Sequence, residues 1–360
     1  MKIVFAGGGS GGTIGPGIAV AERLADLDAT AEVVFLCSNR SIDQTMLEGC
    51  RWVNHPTPAA PPVRSLAGGL KFVRGYRATR RLAREVLDPS THVVALGGFV
   101  APPVVAEAKR CGATITLLNL DSRAGKANRW VARRATTCLT AVASDLGGTE
   151  GPFGVPLRRA VLASKPRDAL RKHFGIERDR RVLLVTGASQ GAQSLNEFMV
   201  AFLTASAEAL HSWHVLHLCG TSDAAERLNY AYEHASVPAT VVPFLPAMGD
   251  AWGVADLALS RGGASSVAEL HANGVPSIIA PYPWHADNHQ ASNAQPLVAM
   301  GGAVLVEDRI DGRANLASIG VTLERLLRLD AARTSMRDAL HGSPPPDAAE
   351  AIAKRLLELS

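Results

Sequence analysis

Short apolar runs alternate with amphipathic stretches along the 360-residue chain. In the first half, the apolar runs that are typical of buried strands are residues 2–6, 31–36, 92–98 and 114–118. Helical spacing of apolar residues lies between these runs, for example at residues 17–26 and 76–87. Regular alternation of strands and helices predicts an α/β fold built on parallel, doubly wound sheets.

The same pattern starts again near residue 181. The stretch "RVLLVTGASQGAQSLNEFMVAFL" (181–203) repeats the order strand, glycine turn and helix. More apolar runs follow at residues 213–220, 239–245, 255–263 and 276–282. We therefore predict two Rossmann-like domains, residues 1–155 and 156–340, with a hinge in the Gly- and Pro-rich stretch 149–164. Residues 341–360 are predicted to form a terminal helix that packs back on the first domain.

Composition and charge narrow the class of protein only slightly. A net charge of +4 is too small by itself to predict a nucleic-acid partner, and no nucleic-acid motif is visible. The five cysteines contain no C-x-x-C pair, as in a cytoplasmic protein with reduced thiols. We find no signal-peptide pattern and no apolar run of the roughly 18 residues that a membrane span needs.

A glycine-rich turn, "GGGSGG" (7–12), follows the first predicted strand, and its glycines spell G-x-G-x-x-G. Such a turn lets backbone N–H groups approach an anion at a helix N-terminus. A nicotinamide site also needs an acidic residue at the end of the second strand. That strand ends in "FLCSNRS" (35–41), which contains no acidic residue. With Arg40 at this position, the only nicotinamide cofactor that could fit is one with a phosphorylated ribose. The nicotinamide interpretation is therefore disfavoured, and a turn without a ligand is the other alternative.

Two more glycine-rich turns occur in the second half, in "TGASQGAQSLN" (186–196) and "SRGGASSVAEL" (260–270). Their backbone amides could hold a diphosphate, and Glu269 could accept hydrogen bonds from two vicinal ribose hydroxyls. A solvated helix face is the alternative for Glu269. Glycine turns in both halves predict a cleft between the domains, with the ligand at the carboxyl ends of the strands.

The chain resembles the MurG family, the N-acetylglucosaminyltransferases of peptidoglycan synthesis. The motifs that carry the resemblance, in the family's order, are "GGSGGTIGPGIAVAERL" (8–24), "LGGFVAPP" (96–103), "RAGKANRWVARRAT" (123–136), "GVPLR" (154–158), "GASQGAQSLN" (187–196), "RGGASSVAEL" (261–270) and "HADNHQASNAQPLV" (285–298). The resemblance implies a GT-B fold and inverting transfer of N-acetylglucosamine from UDP-N-acetylglucosamine to the muramyl 4-hydroxyl of lipid I, which gives lipid II. The alternatives are a GT-B enzyme with another acceptor, or a non-catalytic protein that binds a sugar nucleotide or carrier lipid.

The resemblance also implies a set of donor-binding residues. Ser189 and Arg158 would contact the diphosphate, Leu245 the uracil, Glu269 the ribose, and Gln290 with Asn293 the sugar hydroxyls. The full implied donor set is Ser10, Gly11, Gly12, Arg158, Ser189, Leu245, Arg261, Ala264, Ser265, Ser266, Val267, Ala268, Glu269 and Gln290. Asn128 and Phe99 would lie on the acceptor side. No cofactor and no metal is expected, although His285, Asp287 and His289 have a permissible metal spacing.

The chain departs from its family at the expected catalytic positions. Thr13 replaces a histidine, and threonine cannot act as a base near neutral pH. Phe99 replaces a tyrosine, while Asn119 and Asp121 stand where the family has glutamate and asparagine. If the chain is extended there, positions 119 and 121 share one face, so Asp121 is the candidate general base and Thr13 and Asn119 are further catalytic candidates. The alternative for Asp121 is a helix N-cap or an ordinary turn residue.

Residues 69–84, "GLKFVRGYRATRRLAR", combine apolar anchors with six basic side chains. This pattern predicts an interfacial contact with anionic lipid, which suits a polyprenyl-diphosphate-linked acceptor at the cytoplasmic face of the membrane. A solvated basic helix face is the alternative. His211, His214 and His217 have no carboxylate nearby in the sequence and are expected to be structural.

Overall fold

The computed structural model describes residues 1–63, 65–187, 191–284 and 289–359. The chain divides into two compact units, the first comprising residues 1–158 and 346–360 and the second residues 159–345. The boundaries drawn from the sequence, after residues 155 and 340, lie within five residues of these divisions. Each unit has its own sheet and its own core.

The first unit contains a six-stranded parallel sheet in the order β3-β2-β1-β4-β5-β6. Its strands are β1 (Lys2–Ala6), β2 (Glu32–Ser38), β3 (Val53–Thr57), β4 (Thr91–Ala95), β5 (Thr114–Asn119) and β6 (Thr137–Thr140). Its helices are α1 (Gly11–Leu27), α2 (Ser41–Leu47), α3 (Leu66–Val86), α4 (Ala101–Cys111), α5 (Lys126–Ala132) and the chain's last helix, α14 (Ala348–Glu358). The strand order reverses between β1 and β4, which is where doubly wound folds bind ligands.

Both faces of this sheet are buried. Along β1, Ile3 and Phe5 belong to one core cluster and Val4 and Ala6 to another, because successive side chains point to opposite faces and helices cover both. Helix α14 closes the first cluster with Leu356. The last helix therefore forms part of the first unit's core.

The second unit repeats the same topology, with a parallel sheet in the order β12-β11-β10-β7-β8-β9. Its strands are β7 (Arg181–Thr186), β8 (Trp213–Leu218), β9 (Ala239–Val242), β10 (Leu257–Ser260), β11 (Ser277–Ile279) and β12 (Ala303–Leu305). Its helices are α6 (Arg167–His173), α7 (Gln193–Ser206), α8 (Ser222–His234), α9 (Met248–Val254), α10 (Ala264–Ala272), α11 (His289–Ala299), α12 (Ile319–Arg328) and α13 (Asp330–His341). Here the strand order reverses between β7 and β10.

The apolar pattern located the central strands and the edge strand β9 but missed the other strands at the sheet edges. Strand β1 matches its predicted range, whereas β3, β6 and β12 were not foreseen. These strands are only three to five residues long, and β3, "VNHPT", has no run of apolar residues. Helices α1 and α3 begin at Gly11 and Leu66, earlier than the predicted residues 17 and 76.

No helix in the described part of the chain is long and apolar enough to cross a bilayer.

Candidate active site

The first glycine turn connects β1 to α1 and is shaped by close approach of its neighbours. Gly8 and Gly9 have φ of 139° and 98°, which favour glycine. A Cβ on Gly9 would lie 2.7 Å from Cε1 of Phe99. Ser10 then begins the helix, and its hydroxyl lies 3.0 Å from the hydroxyl of Thr13. Thr13, the catalytic candidate that replaces the family's histidine, is thereby held in the first turn of α1.

A buried carboxylate that the sequence had not indicated holds this turn. Asp43, on α2, is completely buried, and its Oδ2 accepts hydrogen bonds from the Gly9 amide (2.7 Å) and from the Ser38 hydroxyl (2.5 Å). Arg40 donates from Nη1 to the Gly9 carbonyl (2.8 Å) and lies 5.2 Å from the Phe99 ring centre. An acidic residue therefore does lie close to the end of β2, but it is completely buried beneath the turn and is not exposed to a ribose.

The first turn of α1 is suited to an anion. It contains no acidic residue, and the first amides of a helix have no partner within the helix. The half-buried Arg158 lies alongside, with Nε 3.8 Å from where a Cβ on Gly15 would be. The helix dipole, the amides of Gly11 and Gly12, and this guanidinium could together hold a phosphate.

The expected pair of Asn119 and Asp121 does not share an exposed face. Asn119 is completely buried, its Nδ2 donates to the Asp121 carbonyl (2.6 Å) and the Ser144 hydroxyl (3.0 Å), and its Oδ1 accepts from Asn128 (2.9 Å). Asp121 is exposed. Because α5 begins only at Lys126, the helix N-cap alternative for Asp121 is wrong.

These contacts correct two predicted roles. Asn119 uses both ends of its amide on protein groups, so it positions the backbone of Asp121 instead of reaching a substrate. Asn128, only 8% exposed, lies under the turn after β4, where a Cβ on Gly97 would come within 2.4 Å of its Oδ1. We assign it the same kind of positioning role, because its side chain cannot face an acceptor from there.

In the second unit, Arg261 is also a structural group and not the predicted ligand contact. It is 6% exposed, pairs with Asp308 (2.6 Å), and donates to the Ala280 carbonyl (2.8 Å) and the Ser194 hydroxyl (2.7 Å). Burial raises the pKa of Asp308, but hydrogen bonds and the Arg261 charge more than offset this and leave it lowered. Arg261 follows β10, and both it and Asp308 bond to the Ser194 hydroxyl. The pair therefore connects the end of β10 to the first turn of α7.

Helix α10 presents most of the remaining donor-side residues. Its first turn, Ala264 to Ser266, is half-buried and has no acidic residue. Glu269 accepts a hydrogen bond from Trp252 Nε1 at 2.9 Å, which orients its carboxylate. Ala268 is half-buried, whereas Val267 belongs to the apolar core and is wrongly placed in the donor set.

Of the other predicted donor contacts, Gln290 and Asn293 lie on α11 and Leu245 lies on the loop after β9. Gln290 accepts from the Tyr282 amide (2.9 Å), and Asn293 donates to the Gly262 carbonyl (3.1 Å). Leu245 is half-buried in the segment that follows β9. Ser189, His285, Asp287 and the side chain of His289 lie outside the described residues. Within the described ranges, no group of three or more His, Cys, Asp or Glu is placed to hold a metal ion.

The fold and the glycine turns place the chain in a known class of protein. The structure superposes on that of Acinetobacter baumannii MurG with a TM-score of 0.68 at 22% identity, covering 99% of each chain. It also superposes on the UDP-GlcNAc 2-epimerase of Neisseria meningitidis bound to UDP-GlcNAc, with a TM-score of 0.64 at 12% identity over 99% of this chain and all of that one. These likenesses confirm the predicted GT-B fold.

Sequence comparison then gives the family. Residues 3–140 match the glycosyltransferase family 28 N-terminal domain, and residues 182–350 match its C-terminal domain. A protein of Rhodococcus jostii (strain RHA1) is 33% identical over the whole chain and 96% of its own length. One of Sorangium cellulosum (strain So ce56) is 36% identical over the whole chain and 89% of its own length.

Both relatives are called UDP-N-acetylglucosamine–N-acetylmuramyl-(pentapeptide) pyrophosphoryl-undecaprenol N-acetylglucosamine transferase. The chain belongs to this family, the MurG glycosyltransferases, and the predicted family and enzyme class are confirmed.

Proposed function

We propose that the protein transfers N-acetylglucosamine from UDP-N-acetylglucosamine to the muramyl 4-hydroxyl of lipid I, with inversion at the anomeric carbon. The observation that carries the proposal is membership, over the full length, of a family whose members are named for this transfer. In the first unit, the first turn of α1 has no acidic residue and lies beside Arg158, which suits a phosphate. In the second unit, the first turn of α10 also has no acidic residue, and Glu269 on the same helix suits a ribose. No metal is required in this proposal, because helix dipoles and Arg158 would stabilise the leaving diphosphate.

Asp121 is the residue that we propose as the general base. Its side chain is exposed at the carboxyl end of β5, while Asn119 fixes its carbonyl from below. A base placed in this way would take the proton from the acceptor hydroxyl as that oxygen attacks the anomeric carbon. Threonine at position 13 would assist only as a hydrogen-bonding group.

The experiment measures UDP release with a lipid I analogue and compares Asp121→Asn with Asp88→Asn. Asp88 is a suitable control because it is a turn carboxylate that precedes the amino end of β4, whereas Asp121 follows the carboxyl end of the adjacent, parallel β5. Loss of a general base lowers kcat by about 100-fold or more, with unchanged affinity for UDP. Full activity of Asp121→Asn would sink this assignment.

A second candidate function, a GT-B transfer to a different acceptor, is favoured by the departures at Thr13 and Phe99. The same assay with simple sugar or lipid acceptors separates the possibilities. Turnover only with another acceptor would support this candidate, and UDP-sugar binding without release would support a non-catalytic protein.

We also propose that α3 attaches the protein peripherally to anionic lipid at the cytoplasmic face of the membrane. Leu66, Leu70 and Val73 are 97%, 52% and 42% exposed at its N-terminal end. Exposed basic side chains, Lys71, Arg74, Arg77 and Arg81, follow the same stretch of helix. Exposed apolar anchors among cations are typical of interfacial helices.

Two other arginines of this helix serve a different purpose. Arg80 and Arg84 each lie 3.0 Å from the buried Glu107 of α4. They are therefore committed to holding α3 against α4, and only the exposed cations are assigned to lipid.

Vesicle binding tests the membrane contact with Arg74→Glu/Arg77→Glu, using Lys354→Glu on α14 as the control. A surface cation contributes about 1 kcal/mol to binding anionic membranes, so removing two should weaken binding about 30-fold or more. Equal binding of the α3 variant and the control to phosphatidylserine vesicles would refute the contact.

A further inference from the structure

A chain of neutral hydrogen bonds crosses the interior of the second unit. His217 on β8 is completely buried, with Nδ1 2.9 Å from the Tyr232 hydroxyl on α8 and Nε2 3.0 Å from Oδ1 of Asn196 on α7. Nδ2 of Asn196 donates in turn to the Cys219 carbonyl at 3.0 Å. Because an amide oxygen only accepts, Nε2 of His217 carries the proton and Nδ1 accepts from Tyr232. Every donation therefore runs in one direction, from Tyr232 to Cys219.

The Cys219 carbonyl, where this chain ends, lies against the turn after β7. Gly191 has a φ of 72°, and a Cβ there would come within 2.4 Å of the Cys219 carbonyl oxygen. The backbone of Gly191 is therefore in close contact with the carbonyl that Asn196 holds. Rotation of the peptide group between Cys219 and Gly220 would displace Gly191.

The same peptide segment supports the loop after β9. The amides of Cys219 and Gly220 donate to the carbonyls of Val242 and Pro243, at 3.0 Å and 2.9 Å. Leu245 follows two residues later. The segment 219–220 thus contacts both Gly191 and the loop that carries the proposed uracil contact.

We propose that His217 and Tyr232 are positioning residues for the nucleotide part of the donor. They fix Asn196, which fixes the Cys219 peptide, which in turn supports Gly191 and the loop that leads to Leu245. This inference rests on the proposed function, because it assumes that these loops bind UDP. Neither side chain is within reach of a ligand, so both act only through the backbone.

The network suits this purpose because it is fully buried and uncharged. Burial lowers the pKa of His217 to about 3, so the imidazole is neutral at physiological pH, and the amide oxygen of Asn196 selects the tautomer that is protonated at Nε2. Each member has the hydrogen-bond partner that its tautomer or amide orientation requires. Removing one member leaves a buried donor or acceptor unpaired, which the neighbouring backbone must move to satisfy.

The chain offers a matched control on the same strand. His214 is 5% exposed, and its Nε2 lies 2.9 Å from the Thr240 hydroxyl. Its pKa is also lowered by burial, to about 4. A His214→Leu variant therefore loses a comparable buried histidine without touching Asn196.

Steady-state kinetics of UDP release test the proposal with His217→Leu, His217→Gln, Tyr232→Phe and His214→Leu. An unpaired buried acceptor costs enough that the KM for UDP-N-acetylglucosamine should rise about tenfold in His217→Leu, with kcat within about twofold. Tyr232→Phe, which keeps the ring, should raise KM by about threefold. His217→Gln, which can still donate and accept, should recover part of the loss. His214→Leu should leave KM unchanged.

Equal KM values in His217→Leu and His214→Leu would overturn the inference, as would a fall in kcat with KM unaltered. Hydrogen exchange of the unliganded variants keeps the test independent of the reaction. Faster exchange at Gly191, Ala192 and residues 219–221 in His217→Leu than in His214→Leu supports positioning, and equal exchange contradicts it. Absence of turnover by the wild-type protein would instead refute the proposed function and leave this second comparison intact.

Discussion

Asp43 illustrates how one buried side chain determines the shape of the first glycine turn. Its Oδ2 accepts from Gly9 and from both the amide and the hydroxyl of Ser38. A Cβ on Gly8 would lie 2.2 Å from the same oxygen. The glycine at position 8 is therefore required by the carboxylate beneath it as much as by its own φ. The amide of Gly9 is occupied, so an anion is left with the helix amides that follow.

Asp43→Asn tests this role. An amide oxygen is a weaker acceptor than a carboxylate, and bonds to charged groups contribute about 1.5–3 kcal/mol each. We expect the free energy of unfolding to fall by about 2 kcal/mol and the turn to exchange faster, as measured by urea unfolding and hydrogen exchange. Asp179→Asn, on an exposed position of the second unit, should change neither. Equal stability of the two variants would contradict the role of Asp43.

Helices α3 and α4 are joined by an ionic cluster around Glu107. The carboxylate is completely buried and contacts Arg80, Arg84 and Arg110. Burial raises its pKa, but hydrogen bonds from the three arginines more than compensate and lower the pKa from 4.5 to about 2. The proposed membrane helix is therefore attached to α4 by charge as well as by its few buried residues.

Acid unfolding should reveal this cluster. A carboxyl whose pKa is lowered on folding stabilises the fold above its unfolded pKa and loses that contribution as pH falls towards the folded value. We expect the wild-type unfolding free energy to decline more steeply between pH 4.5 and 2 than that of Glu107→Gln. Glu85→Gln, an exposed neighbour on α3, should follow the wild type. Parallel pH profiles for all three proteins would rule out the predicted effect.

Helix α14 lies at the C-terminal end of the chain but packs as part of the first unit. Ile352 and Leu356 are completely buried in the same cluster as Phe5. Ion pairs of Arg23 with Asp347 and of Arg355 with Glu150, at 2.8 Å and 2.7 Å, hold its two ends. The sequence predicted that this helix would pack back, and the structure shows which residues do so.

Leu356→Ala should therefore destabilise the first unit. Truncating a buried leucine costs about 2–5 kcal/mol through lost burial and the cavity left behind. Lys354→Ala, on the exposed side of the same helix, should cost less than about 0.5 kcal/mol. Thermal unfolding with hydrogen exchange can assign the loss to residues 1–158. A smaller loss for Leu356→Ala than for Lys354→Ala would disprove the packing role.

At the scale of the whole molecule, two units with the same strand order carry different chemistry. The first unit contains the glycine turn after β1, Arg158 and Asp121. The second unit contains α10 with Glu269, and the buried His217 network lies in its interior. Identical topology places the reversal of strand order between β1 and β4 in one unit and between β7 and β10 in the other. The fold thus gives each unit an equivalent reversal of strand order, and the side chains beside the two reversals differ.

UDP should accordingly protect the two units unequally. A ligand at about 100 times its Kd stabilises the part that it binds by about 2.7 kcal/mol. We expect UDP to slow hydrogen exchange in the first turn of α10 and residues 219–221 more than in β4 and β5. Inorganic phosphate at the same concentration serves as the control. Protection confined to residues 1–158 would refute the assignment of the nucleotide to the second unit.

The sequence could name candidate site residues where residue type and position along a strand point to a chemistry. The glycine turns and Glu269 were named in this way, Asp121 was named from the departure from the family's motif, and their roles stay predictions. Asp43 could not be found, because its contact with Gly9 spans 34 residues and depends on the pairing of β1 with β2. Arg261 was misassigned for a similar reason, since its partner Asp308 is distant in sequence and only the folded chain shows that the charge is already paired.

The sequence alone determined the α/β class, the two-unit organisation and most of the strands, because apolar periodicity and glycine turns are local properties of the chain. The series of motifs that it shares with the MurG family indicated the family. The tertiary structure decided which polar groups face a ligand and which are consumed by the fold. The side chains of Asn119, Asn128 and Arg261 bind other protein groups. His217 was expected to be structural, and we propose that it supports the donor site through the backbone. Burial and hydrogen-bond partners arise from residues far apart in sequence, and these long-range contacts determine whether a polar side chain supports the backbone or remains available for chemistry.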